Sequence, residues 1–137
     1  MPGRVNRTRR IALAVAGAGA IAAGAVPALA ATTVNEKLSN FKITGASSAK
    51  AGKVTFKVKN VADFEHELEV IKTSTKASKL KTTSSGKAVT TGKRGEVEVD
   101  GGATKNLTLT LKKGHYALIC NIGNHYKQGM RKDFTVK

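Results

Sequence analysis

From Asn40 to its end this sequence alternates apolar and polar residues with period two, a pattern that few folds accommodate. Phe41 and Ile43 alternate with Asn40, Lys42 and Thr44, and Val54, Phe56 and Val58 alternate with Thr55, Lys57 and Lys59. Phe64, His66, Leu68 and Val70 face one way, with Glu65, Glu67 and Glu69 opposite. The same rhythm returns in Val97 and Val99, in Leu107, Leu109 and Leu111, in Tyr116, Leu118 and Cys120, and in Phe134 and Val136. Alternation of this kind marks half-buried strands of an antiparallel sheet. About seven such strands, separated by turns at Gly45, Gly52, Gly101-Gly102 and Gly114, predict an all-β chain folded as a small sandwich. No helical period is apparent in this region.

The first 30 residues do not belong to that pattern. Arg4, Arg7, Arg9 and Arg10 precede an apolar, Ala- and Gly-rich run from Ile11 to Val26, which exits through Pro27-Ala28-Leu29-Ala30. This is the anatomy of a signal peptide ending in an A-x-A cleavage pattern, with a membrane anchor as the weaker alternative. Arg9-Arg10 resembles a twin-arginine export signal, although Ala12 stands where a bulky residue is usual. Residues 31–137 are then the exported domain, periplasmic or extracellular and at the cell surface. Losing the four arginines lowers the net charge from +15 to +11.

Residues 72–95 interrupt the alternation with Ser, Thr, Lys and Gly, seven positive charges and no negative one. Connections beyond about 12–15 residues are uncommon in compact domains. The plain expectation is a solvated, flexible basic loop, with at most one helical turn over residues 77–81. A sharper expectation is a docking surface for an acidic partner or an anionic surface. Nucleic acid is not expected, because the loop has no aromatic residue on which a base could stack.

The chemistry is concentrated near the C-terminus, in Cys120-Asn121-Ile122-Gly123-Asn124-His125-Tyr126-Lys127-Gln128-Gly129-Met130. This stretch holds the only cysteine of the chain, one of its three histidines and the only methionine besides Met1, spaced Cys-x4-His-x4-Met. A lone cysteine cannot form an internal disulfide, and in an oxidising compartment it needs burial or a metal. Thiolate, imidazole and thioether together suit copper in a His2Cys set with a weak axial Met. Zinc prefers four strong ligands, and a thioether is a poor fourth.

The missing imidazole is expected from His66. By strand parity, His66 shares a face with Leu68 and Val70, and Cys120 shares one with Leu118 and Tyr116, so both aim into the sandwich. His115 has the opposite parity and lies roughly 16 Å from Cys120 along an extended strand, which excludes it. Taken singly, a buried Cys, His or Met is ordinarily packing; their joint spacing carries the inference.

Residues 53–137 resemble a cupredoxin, the blue copper fold of plastocyanin and azurin, most clearly in Phe64-Glu65-His66-Glu67-Leu68 and Gly114-His115-Tyr116-Ala117-Leu118-Ile119-Cys120-Asn121. The ligand-loop spacing is similar to that of rusticyanin and sulfocyanin. The resemblance implies a Greek-key sandwich holding one copper ion through His66, Cys120, His125 and, axially, Met130. It further implies single-electron exchange with redox protein partners that dock near His125, where Ile122 and Tyr126 could form an apolar rim. Two departures stand out. Gly123-Asn124 precede His125 where relatives often carry Pro. Glu67 stands where many members have an Asn or Ser that ties the two ligand segments together, so that tie is not assured.

An enzyme is not expected: a second copper centre needs further histidines, and only His115 remains. The rival functions are a copper carrier or buffer and a metal-free secreted binding sandwich. A monomer is expected.

Overall fold

The computed structural model describes residues 19, 23–25 and 29–137, so the proposed signal peptide lies largely outside the described residues. The domain is a two-sheet sandwich. Strands β1 (Thr32–Ser39), β2 (Lys42–Gly45), β4 (Gly52–Asn60) and β7 (Thr104–Leu111) form one sheet in the order β2-β1-β4-β7. Strands β3 (Ser48–Ala49), β9 (Arg131–Val136), β8 (Gly114–Ile119), β5 (His66–Lys72) and β6 (Lys93–Val99) form the other, in the order β3-β9-β8-β5-β6. Among the described residues no helix is long and apolar enough to cross a membrane.

The sheets are not purely antiparallel. β1 runs parallel to β4, and β3 runs parallel to β9. The chain leaves the first sheet through β2, contributes β3 to the second and returns as β4, a crossover that brings β1 and β4 together in the same direction. Among the described residues nine strands form rather than about seven, because β1 and the two-residue β3 escape the period-two reading. β1 was obscured by Glu36, a carboxylate at an inward position between Val34 and Leu38. Its side chain is buried and meets Lys132 Nζ at 2.6 Å.

Between the sheets, Leu38, Val54, Phe56 and Val58 from one side pack against Leu68, Val70, Tyr116, Leu118 and Phe134 from the other. This is the core that the alternation predicts. β5 departs from it, since His66 to Ile71 are buried on both faces. A second apolar cluster of Ile71, Ala77, Ala88, Ala117, Ile119 and Tyr126 covers the outer face of the five-stranded sheet.

That cluster redraws the long basic segment. Lys72 ends β5 and Lys93 opens β6, so the connection is residues 73–92. It contains a 3-10 turn at Ala77–Lys79, a bridge between Thr82 and Ala88, and two buried alanines seated on the sheet. A charge count reads the lysines that face water. It does not read the small apolar residues between them.

Candidate metal centre

Three donors from distant parts of the chain meet at one end of the sandwich. His66 opens β5, Cys120 directly follows β8, and His125 opens the short helix α1 (His125–Gln128). The Nδ1 atoms of His66 and His125 are 3.2 Å apart. The Cys120 sulfur lies 3.9 Å from the first and 3.6 Å from the second. A trigonal site with metal–nitrogen bonds of about 2.0 Å and a metal–sulfur bond of about 2.3 Å has edges of about 3.5 and 3.8 Å. The triangle therefore fits a small soft cation, and all three ligand atoms lie within 4.8 Å of one another.

Each vertex is fixed from outside. His66 is 0% exposed, and its Nε2 lies 3.1 Å from Asn40 Oδ1. An amide oxygen can only accept, so the ring donates from Nε2 and leaves Nδ1 free to ligate. Burial, and next the charge of His125, lowers the pKa of His66; burial also lowers that of His125. Both shifts favour the neutral ring, the form that binds metal. The Cys120 thiol is pushed up to about 11, chiefly by burial, with main-chain N–H groups of Glu67 and Ile122 opposing. A proton thus holds the sulfur until a soft cation displaces it.

Cys120 and Met130 are joined through their backbones. The Cys120 N–H donates to the Met130 carbonyl at 3.1 Å, and the Met130 N–H donates to the His125 carbonyl at 3.1 Å. Gly129 makes this turn with φ of 121°, a left-handed conformation that a side chain would strain. Met130 is fully buried in the main core. The four residues singled out in the sequence are therefore gathered at this end, with His66, Cys120 and His125 in mutual contact.

Glu67 does supply a tie between the two segments, contrary to what its substitution for Asn or Ser suggested. Its N–H donates to the Cys120 sulfur at 3.4 Å, and its carboxylate accepts the Asn121 N–H at 2.7 Å. Its neighbour Glu69 is 4% exposed with one carboxylate oxygen lacking any partner. Burial first, then the hydrogen bond and charge of Glu67, raise the Glu69 pKa to about 7.

Two expectations about the surroundings need correction. Phe64 is not inward on β5: the strand begins at His66, and Phe64 is 43% exposed. Its ring lies tilted, 4.9 Å from that of His66 and 5.8 Å from that of His125, and Phe41 lies 5.0 Å from His125 and 6.2 Å from Phe64. Tyr126 is not part of an exposed rim. It is 3% exposed, its hydroxyl donates to the Ala77 carbonyl at 2.6 Å, and it accepts the Leu80 N–H at 3.1 Å. Phe41 and Phe64 supply apolar surface beside the two imidazoles that the sequence reading assigned elsewhere, and Val61, just past β4, is exposed as well. His115 points away, bound to the Thr73 carbonyl and the Asp133 carboxylate.

Asn40 and Phe41 are contributions that sequence reasoning missed. Both lie at the turn between β1 and β2, and nothing local marks that turn as adjacent to His66.

Comparison with known proteins agrees with this geometry. Residues 29–137 match the family described as copper binding proteins, plastocyanin/azurin family. No curated protein sequence matches. Among solved structures, the chain is similar to auracyanin from Roseiflexus castenholzii, with a TM-score of 0.61 at 20% identity over 79% of this chain and 98% of that one. It is similar to auracyanin A, a blue copper protein from Chloroflexus aurantiacus, with a TM-score of 0.58 at 17% identity over 79% and 100%. Rusticyanin from Thiobacillus ferrooxidans gives a TM-score of 0.59 at 16% identity over 77% and 76%. At these identities the likeness is one of fold, the cupredoxin sandwich. The family match covers most of the chain: this protein belongs to the plastocyanin/azurin family of copper binding proteins, and copper is its cofactor.

Proposed function

We propose that this protein is an exported type 1 copper protein that carries single electrons between redox partners, with His66, Cys120 and His125 as equatorial ligands and Met130 as the axial one. Copper bound there supplies a one-electron couple between Cu(I) and Cu(II). The observation that carries the reading is the closeness of the three donor atoms, all within 4.8 Å, on elements locked by hydrogen bonds. A site so braced changes little between oxidation states, which favours electron exchange.

The chain's own residues divide the remaining work. Glu67 and Asn40 orient the sulfur and the buried imidazole. Burial of Cys120 and Met130 keeps water from the sulfurs. His125 is half-buried and is the ring nearest the surface, so electrons enter and leave through its edge. Phe41, Phe64 and Val61 form the apolar surface that excludes water when a partner docks there. Export rests on the signal-like pattern of residues 1–30, with residues 31–137 as the working domain.

The test is to add Cu(II) to the purified protein and record absorption and EPR spectra. An intense blue thiolate-to-copper band that Cys120→Ser abolishes is expected. Met130→Leu should keep the colour and shift the reduction potential upward, since an apolar axial neighbour disfavours Cu(II). A protein that stays colourless with stoichiometric Cu(II) is not of this type. Rapid surrender of Cu(I) to a chelator would identify a carrier instead.

A further inference from the structure

We propose that the outer face of the four-stranded sheet is a docking surface for an anionic lipid bilayer. Its outward positions alternate with the buried residues of β1, β4 and β7, and they carry Lys37, Lys53, Lys57 and Lys59 among Thr, Asn and Ser; Lys42 on β2 adds a fifth. Register places Lys37 directly beside Lys59, and Lys57 between Asn35 and Asn106. No carboxylate shares this face. Glu36 turns inward, while Glu67, Glu69, Glu96 and Glu98 lie on the outer face of the other sheet. Among the described residues, none of the five lysines takes part in a salt bridge.

Folding accounts for one of the five: Lys59 Nζ donates to the Gly102 carbonyl at 2.7 Å, while among the described residues the other four make no side-chain hydrogen bond. Like charges on adjacent strands destabilise a sheet, and Thr or Gln would serve these exposed sites equally well. The composition also selects the partner. A protein interface has an apolar centre, and the outward positions of β1, β2, β4 and β7 carry no large apolar side chain; the exposed Leu29 lies at the rim, beside Lys53 and Thr110. Single-stranded nucleic acid needs aromatic platforms, and the outward positions include none.

A bilayer asks for neither. Its anionic headgroups move laterally to meet each ammonium, and each Lys near such a surface contributes about 1 kcal/mol. At ~3.4 Å per residue and ~4.8 Å between strands, the lysines on β2, β1 and β4 cover roughly 25 by 10 Å of surface. β1 runs along this face and ends beside Asn40, which holds His66. Docking flat therefore leaves the His66–His125 end at the edge of the footprint, open to a partner in the same membrane.

The test uses the full-length protein and co-sedimentation with vesicles of phosphatidylcholine, with and without phosphatidylglycerol, at low and high salt. Wild type should bind the anionic vesicles and release in high salt. The triple Lys37→Gln, Lys57→Gln, Lys59→Gln should lose roughly a hundredfold in affinity. The same positions changed to Arg should retain it. A triple of equal charge change in the basic loop, Lys76→Gln, Lys79→Gln, Lys81→Gln, should lose less than about threefold. Should the face triple fold poorly, Lys57→Gln alone should still cost about fivefold. Equal losses from the two triples overturn the proposal, because charge is then read without regard to place. Binding undiminished on pure phosphatidylcholine also overturns it, since the apolar N-terminal segment then does the binding. Wild type that ignores anionic vesicles but sediments with an anionic polyphosphodiester overturns the choice of a bilayer.

Discussion

The main-chain N–H of Glu67 is directed at the sulfur of Cys120 from 3.4 Å, across 53 positions of sequence. The carboxylate of the same residue takes the N–H of Asn121 at 2.7 Å, so one residue grips the cysteine segment twice. The Glu67 carboxylate thus stands one residue from His66 and against the segment that carries Cys120.

Glu67→Gln keeps an oxygen for Asn121 while exchanging the carboxylate for a neutral amide. The reduction potential of the copper-loaded protein should rise by on the order of 50–100 mV, the size of one unit charge near a site at moderate dielectric. Protein-film voltammetry reads it, and an unchanged potential would mean that the carboxylate charge is fully screened. Glu67→Ala breaks the tie as well and should cost about 1.5–3 kcal/mol in denaturant unfolding.

Asn40 acts through a single contact, its oxygen on His66 Nε2. Freed of it, the ring can rotate or change tautomer. Asn40→Ala should weaken copper binding about 10–100-fold in a Cu(I) competition titration, the usual cost of losing a partner behind a metal-bound histidine. Stability without metal should fall by about 1–3 kcal/mol, because the buried His66 Nε2–H loses its partner.

The connection of residues 73–92 is pinned to the site's underside. Tyr126 bonds Ala77 and Leu80 through its hydroxyl, and the Asn121 side chain exchanges two hydrogen bonds with Ala88. Tyr126→Phe leaves the Leu80 N–H and the Ala77 carbonyl without that partner. It should cost about 1–3 kcal/mol in stability, with faster amide hydrogen exchange at Leu80.

Glu69 gives the fold a pH dependence of unusual sign for a carboxylate. Its pKa of about 7 lies above the ordinary 4.5, so the folded state holds the proton longer than the unfolded one. This group's contribution is most favourable below pH 4.5 and declines as pH rises to about 7. Glu69→Gln should remove about 1–2 kcal/mol of that decline, measured as urea midpoints across the window. A shallower slope should persist from Glu36, which burial raises to about 6 despite Lys132. Equal slopes in wild type and variant would show that Glu69 ionises normally in the fold.

Much of this was written locally. The period of two identifies the inward faces of β4, β7, β8 and β9, because side-chain direction along a strand is fixed by the pleat. The spacing from Cys120 to Met130 brings three donor types into one loop without help from the rest of the chain. Periodicity says which way a side chain points, and it is silent on which strand lies beside it. Strand parity and the family resemblance pointed to His66 as the partner of Cys120 and His125, and the fold brings the three together. Tertiary structure alone decided that Asn40 stands behind His66 and that Glu67 faces Asn121. It also decided that Glu36 and Glu69 are buried and that alanines of the basic connection sit on the sheet. Some of these come from strand pairing within one sheet, as β5 beside β8 sets Glu67 opposite Asn121, and others from packing between sheets or onto a sheet face; in each case residues far apart in sequence become neighbours only once the chain has folded.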